Sequence, residues 1–485
     1  MLRRARCAGA ASDATGRGMR AQSVTAVADT TEPIRPRTLP ETVARPWVIA
    51  LAVFAWLTAL GALVPLDYDE AVYSIVARGM VKGHWPYRDL FDHKPPLVYV
   101  WYTAFGITHS VLAQRLFASV LIAVSVLVFA RVSRRWLPPH DAWVALICYA
   151  ALVCNPFIGA STSIEGYMLL PLIAAVLVES PLAAGALLGI AIMTKPVGLL
   201  FAPLLFERWR RASWQAVVGC AAVIGVVCAA YVPVWHDFWV ANITFNREFS
   251  RQSVRALGYT GIMRTLFDVQ PQAIAGVLPL ALAAVAGAFA VRRDGSRPLL
   301  WAACALAAVK ANAIGGRTEY AHYYILLAPP AALLAPAGLR TLTARNAGIA
   351  ALSISGAISI SLIVIALGLA MRRPAPDASL VAAIERADGE LYTIGVPAQI
   401  YVAVGRQPQR RLFFDNALLI HPGWREEALT GLEACPPSVL ILPSAPPPWL
   451  EWTAPLRASY TARERVGAYD VLTDARVACA TTGRD

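Results

Sequence analysis

The sequence predicts a mainly α-helical, polytopic membrane protein: a bundle of about 11 spans with interfacial helices in the first outer loop and a small C-terminal α/β domain. Two observations predict this class. Of the 485 residues, 57% are hydrophobic and only 15% are charged, which is far from the balance of a soluble domain. Several stretches without any charge also reach the roughly 20 residues that a bilayer-spanning helix needs. The five clearest are residues 46–66, 142–164, 214–235, 269–291 and 347–371.

Six further apolar runs carry one or two polar interruptions and complete the predicted bundle. They are residues 111–132, 166–178, 181–193, 196–206, 298–313 and 321–339. The two runs that flank Lys195 are each short for a span. The sequence leaves open whether they form a bent helix pair or a re-entrant element.

The arginines predict the orientation. They concentrate in short loops near residues 131–135, 208–211, 292–297 and 340–345, and short basic loops prefer the cytoplasmic side. With a cytoplasmic N-terminus, this places four segments on the outer side of a bacterial inner membrane: residues 67–110, 236–268, 315–320 and everything after 371. The net charge of +12 therefore reflects membrane topology, and we expect no nucleic-acid partner.

We expect three domains along the chain. Residues 1–45 lack apolar periodicity and predict a disordered tail. Residues 46–371 hold the spans, and residues 372–485 alternate apolar runs with turns, as in a small periplasmic α/β domain. Cys435 and Cys479 lie in that last part, and in an oxidising compartment they are able to pair. The sequence does not decide whether they do.

The first outer segment is the densest in ionisable groups. It contains Asp67, Asp69, Glu70, Asp89, Asp92, His93 and Lys94. Apolar positions between residues 71 and 80 predict a short amphipathic helix along the membrane interface, with Asp69 and Glu70 at its start. These carboxylates either cap that helix or belong to a functional site.

Other ionisable residues stand at predicted membrane edges, where they are costly unless they have a function. They are Glu165, Lys195, Lys310, Arg317, Glu319 and His322. Carboxylates and cations gathered at one face suit the deprotonation of an acceptor hydroxyl while a phosphate leaves. Because the inner loops have no room for a nucleotide-binding domain, a sugar donor should arrive attached to lipid.

Four segments carry a family resemblance: DYDEAVYSIVARGM, HKPPLVYVWY, TKPVGLLFAP and GGRTEYAHYYILLAPPAALL. They resemble the membrane glycosyltransferases of the C superfamily, in the branch of protein O-mannosyltransferases and lipid A aminoarabinose transferases. The similarity covers roughly residues 47–370. It implies an enzyme that moves a sugar, with inversion, from a polyprenyl-phosphate donor to an acceptor hydroxyl on the outer face.

The resemblance also implies roles for individual residues. Asp69 and Glu70 would be catalytic, with Asp69 the general base and Glu70 orienting the site. Lys94, Lys195 and Arg317 would bind the donor phosphate. His93, Glu165, Tyr320, His322 and Tyr323 would bind substrate. No cofactor is certain, although a divalent metal ion held by Asp69, His93 or Glu165 is compatible with the chemistry.

Some alternatives stay open. Residues 236–255 form either a mobile lid over the donor or a plain surface helix. The acceptor is a lipid, a glycan or a protein. A flippase or transporter for lipid-linked sugars is the main rival function, although transporters bind near the midplane and often show repeated halves. A non-catalytic scaffold is the other rival.

Overall fold

The computed structural model describes residues 46–155, 163–269, 278–291, 296–316, 319–343 and 376–475, and it confirms the predicted helical class. In chain order the α-helices are α1 (Pro46–Leu63), α2 (Tyr68–Val81), α3 (Leu97–Trp101), α4 (Thr103–Thr108), α5 (Val111–Trp136), α6 (Pro139–Val153), α7 (Ile164–Leu177), α8 (Pro181–Thr194), α9 (Ala202–Arg208), α10 (Ser213–Ala230), α11 (Trp235–Trp239), α12 (Asn246–Phe267), α13 (Leu278–Ala290), α14 (Ser296–Gly316), α15 (Ala328–Thr343), α16 (Ala378–Glu385), α17 (Gln399–Ala403), α18 (Asp415–Ile420), α19 (Pro422–Ala434) and α20 (Ala454–Arg457).

Four of the described helices, α1, α5, α10 and α14, are long and apolar enough to cross a membrane. The shorter apolar helices α6, α7, α8 and α13 accompany them. The predicted span over residues 347–371 and the predicted tail over residues 1–45 lie outside the described residues. The total of eleven spans and the domain limits therefore stay predictions.

The helix expected after the first span is present as α2. It begins at Tyr68 because the Asp67 side chain accepts the Glu70 N–H at 2.7 Å, and the Glu70 side chain accepts the Asp67 N–H at 2.9 Å. This reciprocal capping box satisfies two amides at the helix start. The helix is buried from Glu70 to Gly79, so it is enclosed by protein rather than open to the interface.

The apolar run around Lys195 is interrupted at that lysine. Helix α8 ends at Thr194, Lys195 is extended, and a 3-10 helix over Pro196–Phe201 leads into α9. Pro196 explains the break, since the residue before a proline is disfavoured in helical conformation. The structure shows two helices joined by a break at Lys195, and the choice between a bent pair and a re-entrant element stays a prediction.

Glycines bring two pairs of helices into close contact. A Cβ atom added to Gly185 of α8 would lie 1.9 Å from the Ala216 carbonyl oxygen of α10. A Cβ atom added to Gly338 of α15 would lie 1.8 Å from the Ala283 oxygen of α13. Small residues at such contacts let helix backbones approach closely within a membrane.

The C-terminal part contains a four-stranded sheet, as the alternating sequence predicts. Its strands are β1 (Leu391–Thr393), β2 (Val439–Pro443), β3 (Tyr460–Val466) and β4 (Tyr469–Ala475), in the order β1-β2-β4-β3. Strands β1 and β2 are parallel, with Tyr392 opposite Leu440, whereas β4 is antiparallel to both β2 and β3. A 3-10 helix over Pro448–Thr453 follows β2.

The C-terminal part rests on α2 and the loop after it. Arg78 on α2 donates to the Gln407 side chain, and Arg411 Nε donates to the Tyr87 carbonyl oxygen at 2.9 Å. One hydrophobic cluster contains Phe91 from the loop and Trp424 from α19, with ring centroids 4.7 Å apart. The last turn of α2 and the loop after it thus face a surface formed by residues more than 300 positions later in the chain.

The cysteines divide between the two parts. Cys148, Cys154, Cys220, Cys228 and Cys304 are free and lie on or directly beside apolar helices. Cys435 is disulfide-bonded, and its partner lies outside the described residues. The pairing with Cys479 therefore stays a prediction.

Candidate functional site

The start of α2 presents Asp69 to solvent while its neighbours are engaged. Asp69 is exposed and accepts a hydrogen bond from the Tyr73 hydroxyl at 3.2 Å. Burial, followed by the charges of Glu70 and Asp69, raises the pKa of Asp67 well above its ordinary value. Asp69 is thus the accessible member of the acidic group Asp67, Asp69 and Glu70.

Glu70 points away from solvent and forms an ion pair with Arg115 of α5. Both Glu70 oxygens accept from the guanidinium, one of them at 2.8 Å, and the two side chains are each 2% exposed. A bidentate pair of this kind fixes geometry as well as charge. It anchors the helix start that carries Asp69.

A second group follows from the sequence Asp92-His93-Lys94. The buried Asp92 carboxylate accepts from the Tyr99 hydroxyl at 3.0 Å, and one of its oxygens lies 3.2 Å from His93 Nδ1. Lys94 Nζ lies 2.9 Å from His93 Nε2. Because an ammonium group only donates, His93 Nε2 accepts and the ring proton sits on Nδ1, toward Asp92.

The pKa directions agree with this arrangement. Burial lowers the pKa of His93, and the positive charge of Lys94 lowers it further, so the ring is neutral near pH 7. Burial alone would raise the pKa of Asp92, but its hydrogen bond to His93 and the charges nearby hold it below the ordinary value. The Asp92 carboxylate therefore lies against Nδ1 of the imidazole without a well-directed hydrogen bond to it, and Nε2 of the same ring lies against Lys94.

Glu165 and Lys195 form a third group, as neighbours in space although they are thirty positions apart. Glu165 stands in the first turn of α7, and its Oε1 pairs with Lys195 Nζ at the break after α8. His322 Nε2 lies 3.8 Å from Glu165 Oε2, and the Tyr323 ring lies 4.6 Å from Lys195 Nζ. Glu165 Oε2 is buried and has no hydrogen-bond partner among the described residues.

Two joined cavities connect these groups. The larger one, of about 660 Å³, lies between α2, the segment after Glu319 and the C-terminal part. A narrower inner cavity is lined by Lys94, Glu165, Lys195 and Tyr323. Asp67, Asp69 and His322 line both cavities. Asp69 therefore belongs to the wall of both cavities.

Most of the predicted site residues meet here. The inner cavity contacts Asp69, Glu70, Lys94, Glu165, Lys195, His322 and Tyr323, the larger one contacts Tyr320, and His93 bonds to Lys94. Arg317 lies outside the described residues. Lys310 and Glu319 pair with each other at 2.7 Å and line neither cavity.

The sequence did not indicate the contribution of the C-terminal part. Asp377, Gln399, Asn416 and Tyr469 all line the larger cavity. Nothing in their spacing connects them with the first outer loop. Arg115 was also missed, although a lone arginine in an apolar run is a signal by itself.

The segment proposed as a lid lies against His93. It consists of α11, a π-helical stretch over Val240–Phe245, and the start of α12. Asn246 Nδ2 donates to the His93 carbonyl oxygen at 2.7 Å, and the rings of Phe245 and Phe249 pack on the imidazole. The segment is thus more than a plain surface helix, while its movement stays a prediction.

No group of three or more His, Cys, Asp or Glu side chains suited to a metal ion occurs in the part of the chain that the structure describes. The predicted candidates, Asp69, His93 and Glu165, do not form such a group there. Glu165 Oε1 is already paired with Lys195, and His93 Nε2 faces Lys94. No step below involves a metal ion.

Comparisons with known proteins found one matching sequence family and a shared fold. The sequence profile of Glycosyltransferase family 87 matches residues 93–312, a range that includes Lys94, Glu165 and Lys195. No curated protein sequence matches this chain significantly.

Among solved structures, the chain is similar to ArnT from Cupriavidus metallidurans, crystallised with undecaprenyl phosphate. The TM-score is 0.60 at 16% identity, and the match covers 89% of this chain and 98% of that one. The oligosaccharyltransferase of Archaeoglobus fulgidus is more distant, with a TM-score of 0.47 at 12% identity over 75% of this chain and 62% of that one. The likeness to ArnT shows a shared fold.

Proposed function

We propose, from the premise that this chain is a membrane protein with the GT-C glycosyltransferase fold, that it transfers a sugar from a polyprenyl-phosphate donor to an acceptor hydroxyl with inversion. The observation that carries this proposal is that the accessible carboxylate of Asp69 lines both of two neighbouring cavities. One cavity offers cations for a phosphate, and the other offers room for an acceptor.

The donor phosphate would bind in the inner cavity. Lys94 supports this assignment because, apart from the neutral His93 ring, no partner within hydrogen-bonding distance is found for its ammonium among the described residues. Lys195 lies on the same cavity but is paired with Glu165. The ArnT crystals contained undecaprenyl phosphate, which supports a lipid-linked donor here. Arg317 would be a further phosphate ligand.

The chemical step would be a direct displacement. The acceptor oxygen bonds to the anomeric carbon while the bond from that carbon to the phosphate oxygen breaks, and its electron pair leaves with the phosphate. The acceptor proton moves to an Asp69 carboxylate oxygen. Lys94 offsets the charge that grows on the phosphate. Asp69 fits the role of base because its oxygens are accessible, while Glu70 is held by Arg115.

The other residues would position the substrates. Glu70 anchors the start of α2, and His93 orients Lys94. Glu165 Oε2, which accepts no hydrogen bond from the residues that the structure describes, suits a sugar hydroxyl, since a buried acceptor without a donor is unfavourable. Tyr320, His322 and Tyr323 form a ring cluster at the entrance, with centroids 4.8–5.6 Å apart. Such rings suit contact with a sugar.

The larger cavity would take the acceptor, whether lipid, glycan or protein. Part of its polar lining, including Asp377, Gln399 and Asn416, comes from the C-terminal part. We place this side outside the bacterial inner membrane, with the N-terminus in the cytoplasm, because the basic loops lie on the opposite side by charge bias.

The test is transfer of radiolabelled sugar from synthetic polyprenyl-phosphate sugars in membranes that contain the full chain. We expect Asp69→Asn to lower the rate of sugar transfer by about a hundredfold or more, since general bases contribute that much. We expect Lys94→Ala to raise the donor concentration that is needed for half-maximal transfer. Asp89→Asn is the matched control, because Asp89 belongs to the same loop but lines neither cavity. Full activity in Asp69→Asn would refute the assigned base. Absence of transfer by the unmodified chain with every donor and acceptor would favour a transporter.

A further inference from the structure

A third cavity lies between α11–α12 and the C-terminal part. Its volume is about 720 Å³, and it shares no lining residue with the two cavities at Asp69. Its lining includes His236, Thr244, Arg247, Arg251, His421 and Trp424. The proposed sugar transfer uses none of these residues.

Two guanidinium groups in this cavity are uncompensated. Arg247 and Arg251 stand four positions apart on α12, both are exposed, and neither forms an ion pair or hydrogen bond within the described part of the chain. Like charges at this spacing destabilise a helix. An anion bound between them would remove this repulsion.

The cavity is lined by three arginines, Arg247, Arg251 and Arg411, against two carboxylates, of which only Asp237 pairs with an arginine. Asp237 lies 3.6 Å from Arg411 Nη2, and Glu248 accepts from Gln252 Nε2 at 3.1 Å. Arg411 is in turn fixed by its bond to the Tyr87 carbonyl. The cavity therefore keeps a surplus of positive charge.

The cavity opens at the depth of lipid headgroups. It follows directly on α10, which ends at Ala230 and is apolar enough to cross the membrane. Trp235 and Trp239, just beyond that end, are 45% and 48% exposed, and exposed tryptophans at the end of a span mark the interface. His236 and Val240 stand next to these rings and line the cavity.

We propose that this cavity binds the phosphate of an anionic membrane phospholipid between Arg247 and Arg251. The phosphate accepts bidentate hydrogen bonds from the guanidinium groups, while the acyl chains lie beside α10. A free phosphate ion offers the same chemistry without the chains, so the experiment has to separate the two. This proposal does not depend on the sugar transfer.

The bound lipid would also hold α12 in place. The cavity wall includes Phe245, whose ring stacks on Trp424 at 5.6 Å and on the other side packs against His93 at 5.2 Å. Gln252 also ties α12 to the Ile420 carbonyl oxygen at 3.1 Å. Anionic lipid should therefore raise the thermal stability of the full chain.

The test uses the purified full chain in neutral detergent, titrated with dioctanoyl phosphatidylglycerol, dioctanoyl phosphatidylcholine or inorganic phosphate. Bound lipid is counted by native mass spectrometry, and melting temperature is followed in parallel. The variant is Arg247→Gln/Arg251→Gln. The control is Arg255→Gln/Arg264→Gln, which removes the same charge from the same helix outside the cavity.

We expect phosphatidylglycerol to bind the unmodified chain and the control variant with equal affinity. The cavity variant should bind it about thirtyfold more weakly, because each arginine that is removed lowers the affinity by somewhat more than about fivefold. Equal binding by the two double variants would overturn the site. Equal binding of phosphatidylcholine would overturn the preference for net negative charge. Stabilisation by inorganic phosphate equal to that by phosphatidylglycerol would overturn the lipid assignment. The melting temperature without lipid shows whether each variant folds.

Discussion

The buried ion pair between Glu70 and Arg115 predicts how much stability the chain loses when the start of α2 loses its charged partner. In Arg115→Met, Glu70 would keep its buried position but lose the cation that both of its oxygens face. Breaking a buried pair by removing one partner costs about 3–5 kcal/mol, because the remaining charge is left in a poorly solvated site. We expect a loss of stability in that range.

The magnitude follows from burial and geometry. Glu70 and Arg115 are 1% and 2% exposed, so water cannot replace the lost partner without disturbing α2. At 2.8 Å between Arg115 Nη2 and Glu70 Oε2, the attraction is roughly 6 kcal/mol at an effective dielectric constant of about 20. Most of that attraction offsets the desolvation of the two charges.

The double variant Glu70→Met/Arg115→Met separates charge from packing. It removes both charges and keeps similar volume, so it should recover most of the stability lost in Arg115→Met. A remaining loss of about 1 kcal/mol is expected because the Asp67 N–H loses its bond to Glu70. The surface pair Arg386–Glu464, with side chains 63% and 56% exposed, provides the control, and Arg386→Met should cost about 1 kcal/mol or less.

The assay is thermal unfolding of each purified variant in one detergent at pH 7, read by size-exclusion chromatography after heating. The reasoning is refuted if Arg115→Met is no less stable than Arg386→Met. It is also refuted if the double variant is as unstable as Arg115→Met, because the loss would then come from packing.

Three further predictions concern other parts of the molecule. Burial raises the pKa of Asp415 to about 6, so its contribution to stability is present at acid pH and is lost as pH rises through about 6. Between pH 4 and pH 7, the Asp415→Asn variant should therefore become up to about 3 kcal/mol more stable relative to the unmodified chain. Melting of both proteins across that pH range measures this difference. Gly338→Ala should lower stability by about 1–3 kcal/mol through overpacking against Ala283, whereas Gly225→Ala, with open space around it, should be neutral or stabilising in the same melting assay. Asp92→Asn should raise the donor KM by a larger factor than it lowers kcat, because it loosens Lys94 through His93. A fall in kcat by as large a factor as the rise in KM would contradict this positioning role.

Local patterns in the sequence predicted helix α2 and its acidic start, and they left open both the role of those carboxylates and the form of the break at Lys195. The capping box at Asp67 and Glu70 needs residues only three positions apart, and the break at Lys195 follows from the proline after it. Such features depend on neighbours along the chain. They can therefore be read before any tertiary contact is known.

The contacts between distant segments could not be predicted in this way. Glu165 and Lys195 were each recognised as costly at a membrane edge, but their pairing depends on how α7 packs on α8. The contributions of Gln399 and Asn416 to the larger cavity depend on where the C-terminal part rests. The pairing of Glu70 with Arg115 similarly requires the packing of α5 beside α2.

The Glu165–Lys195 pair determines at which stage of the proposed reaction Lys195 stabilises the negative charge of the donor phosphate. Before the reaction the donor phosphodiester carries one negative charge, and the polyprenyl phosphate that departs carries nearly two at pH 7. The Lys195 ammonium is already paired with the Glu165 carboxylate, so a phosphate with a single negative charge attracts it only weakly away from that partner. A phosphate that is acquiring its second negative charge attracts it more strongly. Lys195 would then favour the departing state over the bound donor, which is the difference that accelerates a reaction.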